Sequence, residues 1–183
     1  MVILIAGATH TGKTLLAQRL LEKTGWPYLS IDHLKMGLIR SGMTALTPAD
    51  DEALTAYLWP IVREMVKTAV ENRQNLIVEG CYIPFDWRRD FDAFYLASIR
   101  FVCLAMTDAY IDGHFDEIAG HESEIERRAV DTGVTTGSLK KENRYYADGF
   151  RQRGEAVAVI DGDYGGTLDA LLARLAAAQT SGN

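Results

Sequence analysis

Short apolar runs and longer stretches with helical spacing alternate along the chain. Five apolar runs predict strands, at 2–6, 27–31, 75–79, 99–105 and 156–160. Three of these runs lack polar alternation, which is typical of strands covered on both faces. The alternation predicts an α/β fold, with a five-stranded parallel sheet covered by helices. At 183 residues we expect one domain, spanning 1–183, with a core of its own.

Helix boundaries follow from capping residues and from breaks in the helical spacing. The first helix is predicted to begin near Lys13 and to end before Gly25. The next long helix is predicted from the Thr47 cap to about residue 72, with a kink at Pro60. Further helices are predicted at 108–128 and 139–153, the second capped by Ser138, and Thr167 is expected to cap the last helix.

Composition and charge narrow the classes of function. The net charge of −6 disfavours broad binding to nucleic acid or to an anionic membrane. No stretch is long and apolar enough for a transmembrane span, and the apolar start is too short for a signal peptide, so we expect a cytoplasmic protein. The two cysteines, Cys81 and Cys103, are expected to be free thiols. The four scattered histidines give no zinc-ligand spacing.

The strongest chemical signal is the stretch from Gly7 to Thr14, which reads G-x-x-x-x-G-K-T between a strand and a helix. The two glycines permit a loop whose backbone amides point inward at anionic oxygens, in front of the positive end of the helix. We expect Lys13 to bind the β- and γ-phosphates of ATP and Thr14 to bind Mg²⁺. The predicted nucleotide-binding residues of this loop are Gly7, Ala8, Thr9, His10, Thr11, Gly12, Lys13, Thr14 and Leu15.

Two carboxylates follow neighbouring strands at the same edge of the predicted sheet. Asp32 comes after the second strand and Glu79 ends the third. Ligands of open α/β sheets bind at this edge, so both acids are candidates for catalysis, Asp32 towards an acceptor and Glu79 towards Mg²⁺ through water or as a base. The alternatives are that Asp32 caps the next helix and that Glu79 merely ends its strand.

Basic residues near these acids are candidates for phosphate or substrate binding. Lys35, Arg40 and Arg88 lie in segments after the second and third strands, so we predict that they contact the acceptor. The acceptor-binding region is expected at about 32–72. The alternative is that these cations are solvent-exposed surface charges without a role in binding.

The segment at about 108–150 has the pattern of a helical lid. It is polar, contains the weakly patterned loop 131–138 and carries several arginines. A closing segment of this kind excludes water and neutralises a transferring phosphate. Arg128 and Arg144 are our candidates for the catalytic arginine, against the alternative of two solvated helices.

With these motifs, the chain resembles the nucleoside-monophosphate-kinase-like group of P-loop kinases, which includes adenylate, shikimate and gluconate kinases and antibiotic phosphotransferases. The segment Asp32-His33-Leu34-Lys35 is similar to the D-x-L-R of adenylate kinases and to the strand-end aspartate of shikimate-type kinases. The G-K-[ST] loop and the I-x-E-G third strand also loosely resemble 2-phosphoglycerate kinase-like proteins. Where adenylate kinases have D-G-F-P-R, this chain continues from Glu79-Gly80 without the arginine, which disfavours a nucleoside monophosphate acceptor.

This resemblance implies more than the patterns do. It implies a P-loop NTPase fold, a three-layer α/β/α arrangement with sheet order 2-3-1-4-5 and a helical lid. It also implies that the loop 161–166, with Asp163 and Tyr164, holds the adenine.

The expected function is an ATP-dependent, Mg²⁺-dependent transfer of the γ-phosphate to a hydroxyl of a small-molecule acceptor. Asp32 is the expected base, with Glu79 as the second candidate. The alternatives are a nucleoside-monophosphate kinase, an ATP-binding regulatory protein with little turnover, and a toxin that phosphorylates a sugar nucleotide. The chain is expected to be a monomer or a homodimer, and its sequence does not identify the acceptor.

Overall fold

The centre of the protein is a parallel five-stranded sheet. The computed structural model describes residues 1–120 and 134–177. The strands are β1 (Val2–Gly7), β2 (Tyr28–Ser30), β3 (Leu76–Glu79), β4 (Ile99–Met106) and β5 (Val157–Ile160). Their order is β2-β3-β1-β4-β5 and every pair is parallel, which confirms the expected fold class and sheet order.

Helices connect the strands and cover both faces of the sheet. The α-helices are α1 (Lys13–Thr24), α2 (Ile31–Arg40), α3 (Asp51–Glu71), α4 (Ala93–Leu96), α5 (Asp108–Gly120), α6 (Thr136–Arg151) and α7 (Tyr164–Ala177). A 3₁₀ helix over Trp87–Asp90 precedes α4. Among the described helices, none combines the length and the apolar character that crossing a bilayer requires.

The core consists of two apolar layers that β1 separates. Val2, Leu4 and Ala6 face a layer built from α3, the 3₁₀ helix and Phe150 of α6. Ile3 and Ile5 face the other layer, against α1 and α7. All five of these β1 residues have no exposed surface. Successive strand residues point to opposite faces, so this burial on both sides is the three-layer α/β/α arrangement.

Three predicted helix starts are wrong. Thr47 does not cap α3, because its backbone N–H and hydroxyl both donate to the Asp50 carboxylate at 2.7 Å, and the helix begins at Asp51. Thr135, and not Ser138, is the N-cap of α6; Ser138 is its partner in a capping box. The Asp163 carboxylate accepts from the Gly166 N–H at 2.8 Å at the start of α7.

Within the described residues, one other helix prediction differs from the structure. The predicted helix 108–128 is described as α5 over Asp108–Gly120, and it is interrupted at His114, whose φ is −129°. Residues 121–133, including the predicted catalytic Arg128, lie outside the described residues. Pro60 lies inside α3, which continues to Glu71. The pattern did not predict the two short helices between β3 and β4, where the Asp92 carboxylate caps α4.

Candidate active site

In the loop between β1 and α1, the backbone at each of the two glycines lies close to an atom of another element, with no room for a side chain. Gly7 has a φ of 139°, and a Cβ there would lie 2.2 Å from the carbonyl oxygen of Leu104. Gly12 has a φ of 87°, and a Cβ there would lie 2.1 Å from the Tyr164 hydroxyl. Both conformations favour glycine, so the loop requires glycine at these two positions. The loop runs directly into α1 at Lys13, which places the positive helix end behind it.

The Lys13 ammonium is folded over this loop. Its Nζ donates to the carbonyl oxygen of Ala8 at 2.6 Å, and only 7% of the residue is exposed. Burial by itself lowers the pKa of Lys13, but its electrostatic interactions with neighbouring groups, among them the carboxylates of Glu79, Asp32 and Glu142, outweigh burial and hold the pKa above its usual value. Lys13 therefore remains a cation at neutral pH, surrounded by carboxylates.

Thr14 and Glu79 meet at the carboxyl edge of the sheet. The Thr14 hydroxyl donates to Glu79 Oε2 at 3.4 Å, and Glu79 is 1% exposed. Mg²⁺ prefers hard oxygen ligands and usually keeps several of its water molecules. The Thr14 hydroxyl and the Glu79 carboxylate are therefore chemically suited to the predicted site, Thr14 as a direct ligand and Glu79 through water. Within residues 1–120 and 134–177, no group of three or more His, Cys, Asp and Glu side chains could hold a metal by itself, so ligand oxygens would complete the shell.

Asp32 lies at one end of a chain of polar contacts. It occupies the first turn of α2, since that helix already begins at Ile31. Its Oδ1 accepts from Lys35 Nζ at 2.5 Å, and Lys35 also donates to the Tyr82 hydroxyl at 2.9 Å. Tyr82 in turn donates to Asp51 Oδ1 at 3.1 Å. Burial first, and then Asp32 and Asp51, raise the pKa of Tyr82 above its usual range, so it stays a neutral donor.

Among the predicted acceptor contacts, Arg40 and Arg88 stand apart from Asp32. Arg40 is exposed at the last residue of α2, eight residues beyond Asp32 and thus about 12 Å along the helix axis. Arg88 makes two hydrogen bonds to Glu155, at 2.5 and 3.1 Å. Glu155 precedes β5, so this pair lies at the amino end of that strand and not at the edge that carries the loop. Their roles in acceptor binding stay predictions.

The predicted lid and adenine residues are placed as follows. Arg144 of α6 pairs with both carboxylate oxygens of Asp108, which ties α6 to the start of α5. Asp163 is engaged in capping α7, whereas the Tyr164 hydroxyl lies over Gly12 of the loop. Tyr164 is thus next to the phosphate loop. That these residues act on a nucleotide stays a prediction.

Sequence reasoning missed two residues of the site. Glu142 of α6 accepts from the backbone N–H of Thr9 at 2.9 Å, although 133 positions separate them. Tyr82 links Lys35 to Asp51. Tyr82 could have been found from its place three residues after Glu79, on the same loop edge. No local signal distinguishes Glu142 from an exposed helix residue, because its position depends on how α6 packs.

Neither thiol is suited to nucleophilic chemistry. Burial raises the pKa of Cys81 to about 11 and that of Cys103 to about 12. Both cysteines are free, as expected, and both remain protonated at neutral pH.

Comparisons with known proteins identify the fold. No protein-family model matches the chain, and no curated protein matches it by sequence. Solved structures do match. A sugar kinase from Janibacter sp. HTCC2649 is 15% identical over 95% of this chain and 93% of its own, with a TM-score of 0.59. A gluconokinase from Sinorhizobium meliloti 1021 is 16% identical over 97% and 94%, with a TM-score of 0.54.

A third match is a shikimate kinase from Aquifex aeolicus, 14% identical over the full length of both chains, with a TM-score of 0.53. The fold and the loop geometry together define a P-loop protein. More narrowly, the chain has the fold of P-loop kinases of the nucleoside-monophosphate-kinase-like group, as its resemblance implied. At these identities the likeness identifies the fold, and the acceptor does not follow from it.

Proposed function

We propose that this chain is an ATP-dependent phosphotransferase that moves the γ-phosphate to a hydroxyl of a small-molecule acceptor. The observation that carries the proposal is the buried Lys13 ammonium folded over the glycine loop that opens α1, with the Thr14 hydroxyl on Glu79 at the same edge of the sheet. The charges of Glu79, Asp32 and Glu142 also raise the pKa of Lys13 against the effect of burial. A cation for phosphates and carboxylates for an acceptor and a metal are the parts that phosphoryl transfer needs.

In the proposed reaction, the amides of the loop and Lys13 bind the β- and γ-phosphates. The acceptor oxygen forms a bond to the γ-phosphorus, the bond from that phosphorus to the bridging oxygen breaks, and ADP leaves. The proton of the hydroxyl passes to Asp32, whose carboxylate Lys35 holds in place at 2.5 Å. Catalysis by such a site depends mainly on positioning and on charge neutralisation.

Thr14 and Glu79 are the residues that would hold Mg²⁺, Glu79 through a water molecule. When bound, the ion supplies positive charge to the phosphate oxygens. Glu79 is almost completely buried beside Lys13, so its own contribution is to fix the position of the Thr14 hydroxyl and to balance the lysine charge.

The contacts of Lys35 favour an acceptor without a phosphate of its own. The ammonium already pairs with Asp32 and contacts the Tyr82 hydroxyl, with its Nζ 4.9 Å from the centre of the Tyr82 ring. A phosphate would have to compete with the Asp32 carboxylate for this cation, beside Asp51. This geometry supports an uncharged hydroxyl compound as acceptor over the nucleoside-monophosphate alternative.

A panel of matched acceptors tests the proposal by ADP release. Each neutral compound is paired with its phosphorylated form: glucose with glucose 6-phosphate, ribose with ribose 5-phosphate, and adenosine with AMP. We expect at least one neutral member to exceed its phosphorylated partner by about tenfold or more in kcat/KM, since one misplaced charge costs at least this much. ADP release that no acceptor stimulates would contradict the transferase, and a preference for AMP would favour the monophosphate kinase.

A further inference from the structure

A carboxylate of the protein occupies the phosphate-binding loop. Glu142 Oε1 accepts from the Thr9 amide at 2.9 Å, and the charge of Glu142 also acts on Lys13. An anionic oxygen that accepts from a loop amide has one of the contacts expected of a nucleotide phosphate. The structure therefore places one of the protein's own anions where a ligand anion is expected.

The position of Thr9 in the loop indicates which phosphate is affected. The loop amides next to α1 cradle the α- and β-phosphates, and the lysine reaches the β- and γ-phosphates. Thr9 precedes these amides in the loop. It lies farther from α1 than they do, and its N–H points to Glu142 of α6. Its amide is thus placed for the terminal phosphate of a triphosphate, which a diphosphate lacks.

The contact of Glu142 is not needed to hold α6 on the sheet. The next residue, Asn143, is 1% exposed and accepts from the Met106 N–H at 2.7 Å, which fixes α6 to β4. Tyr146 donates to the carbonyl oxygen of Cys81 at 2.9 Å, and Phe150 is completely buried. These contacts hold α6 on the sheet independently of the Glu142 carboxylate.

We propose that Glu142 is a specificity residue of the nucleotide site, whose carboxylate must leave the Thr9 amide before the terminal phosphate of a nucleoside triphosphate binds there. This inference rests on the proposed function. The γ-phosphate and the carboxylate compete for the same amide and repel each other, so triphosphate binding is coupled to displacement of the Glu142 side chain. A diphosphate does not reach this amide and binds without the displacement.

Calorimetric titration of Glu142→Gln with Mg²⁺ and either a non-hydrolysable ATP analogue or ADP tests the inference. Glutamine can still accept from the Thr9 N–H, so the substitution removes the charge alone. We expect the Kd for the ATP analogue to fall about tenfold, within the usual range of coupling between sites. The Kd for ADP should fall by a clearly smaller factor, because ADP lacks the terminal phosphate that the Glu142 charge opposes most directly. Glu22→Gln, at an exposed position of α1, removes the same charge elsewhere and should change neither value.

The outcomes separate this inference from the function on which it rests. An unchanged or weaker affinity of Glu142→Gln for the ATP analogue would overturn it, as would an equal gain for ADP. If Glu142→Gln lowers the melting temperature and leaves both Kd values unchanged, Glu142 is a structural contact and the inference is overturned as well. If neither the wild type nor the variant binds either nucleotide, the proposed function fails as well.

Discussion

Lys13→Met is expected to reduce kcat by roughly 10³-fold, about the effect of removing one preorganised charge-stabilising group. Lys13 is a buried cation: burial lowers its pKa, and four neighbouring groups raise it by more. Its ammonium lies on the loop backbone, 2.6 Å from the Ala8 carbonyl oxygen. Methionine fills the same volume without the charge. The measurement is the steady-state rate of ADP formation with the acceptor that the panel identifies.

Two controls distinguish catalysis from folding. Lys23→Met removes an exposed lysine in the last turn of the same helix and should leave the rate unchanged. The melting temperature of Lys13→Met should stay within about 5 °C of the wild type, which corresponds to about 2 kcal/mol for a domain of this size. A Lys13→Met protein that folds and keeps its rate would remove the lysine from the mechanism.

Asp32→Asn is expected to reduce kcat by about 10²-fold or more, the usual contribution of a positioned general base. The amide oxygen of asparagine can still accept from Lys35, so the substitution removes the proton acceptor and keeps the contact. The affinity for the ATP analogue should stay within about twofold, because Asp32 acts on the acceptor hydroxyl and not on the nucleotide phosphates.

Glu79→Gln is the comparison variant for the assignment of Asp32 as the general base. Glu79 contacts Thr14, so its substitution should weaken the dependence of the rate on Mg²⁺ concentration, which Asp32→Asn should leave intact. If Asp32→Asn keeps more than half of the rate while Glu79→Gln loses it, the base is Glu79 and the assignment of Asp32 is wrong.

The sequence predicted the sheet and the loop because their signals are local. Apolar runs of strand length, followed by glycines at Gly7 and Gly12, specify the strand–loop–helix unit without reference to the rest of the chain. The strand bounds in the structure differ from the predicted ones by at most one residue at either end. The sheet order came from the resemblance, since no pattern in a single strand encodes its neighbours.

The predictions that differ depend on particular side-chain contacts that apolar patterns and residue types do not specify. Thr47 has the composition of a cap, yet its hydrogen bonds to Asp50 delay α3. Arg88 looks like a phosphate ligand in the sequence, whereas the structure pairs it with Glu155, a carboxylate whose side chain is 3% exposed. The position of Glu142 on the loop follows from the packing of α6 against β4, which helical spacing alone does not fix.

A crystal structure with a non-hydrolysable ATP analogue and Mg²⁺ tests the central claim most directly. It should show the β- and γ-phosphates on the amides of the Gly7–Thr14 loop, with Lys13 Nζ moved from the Ala8 carbonyl to a phosphate oxygen. The metal should lie on the side of Thr14 and Glu79, and the Asp32 carboxylate should face the γ-phosphate across space for a hydroxyl. A triphosphate bound elsewhere, with Lys13 still on Ala8, would contradict the account.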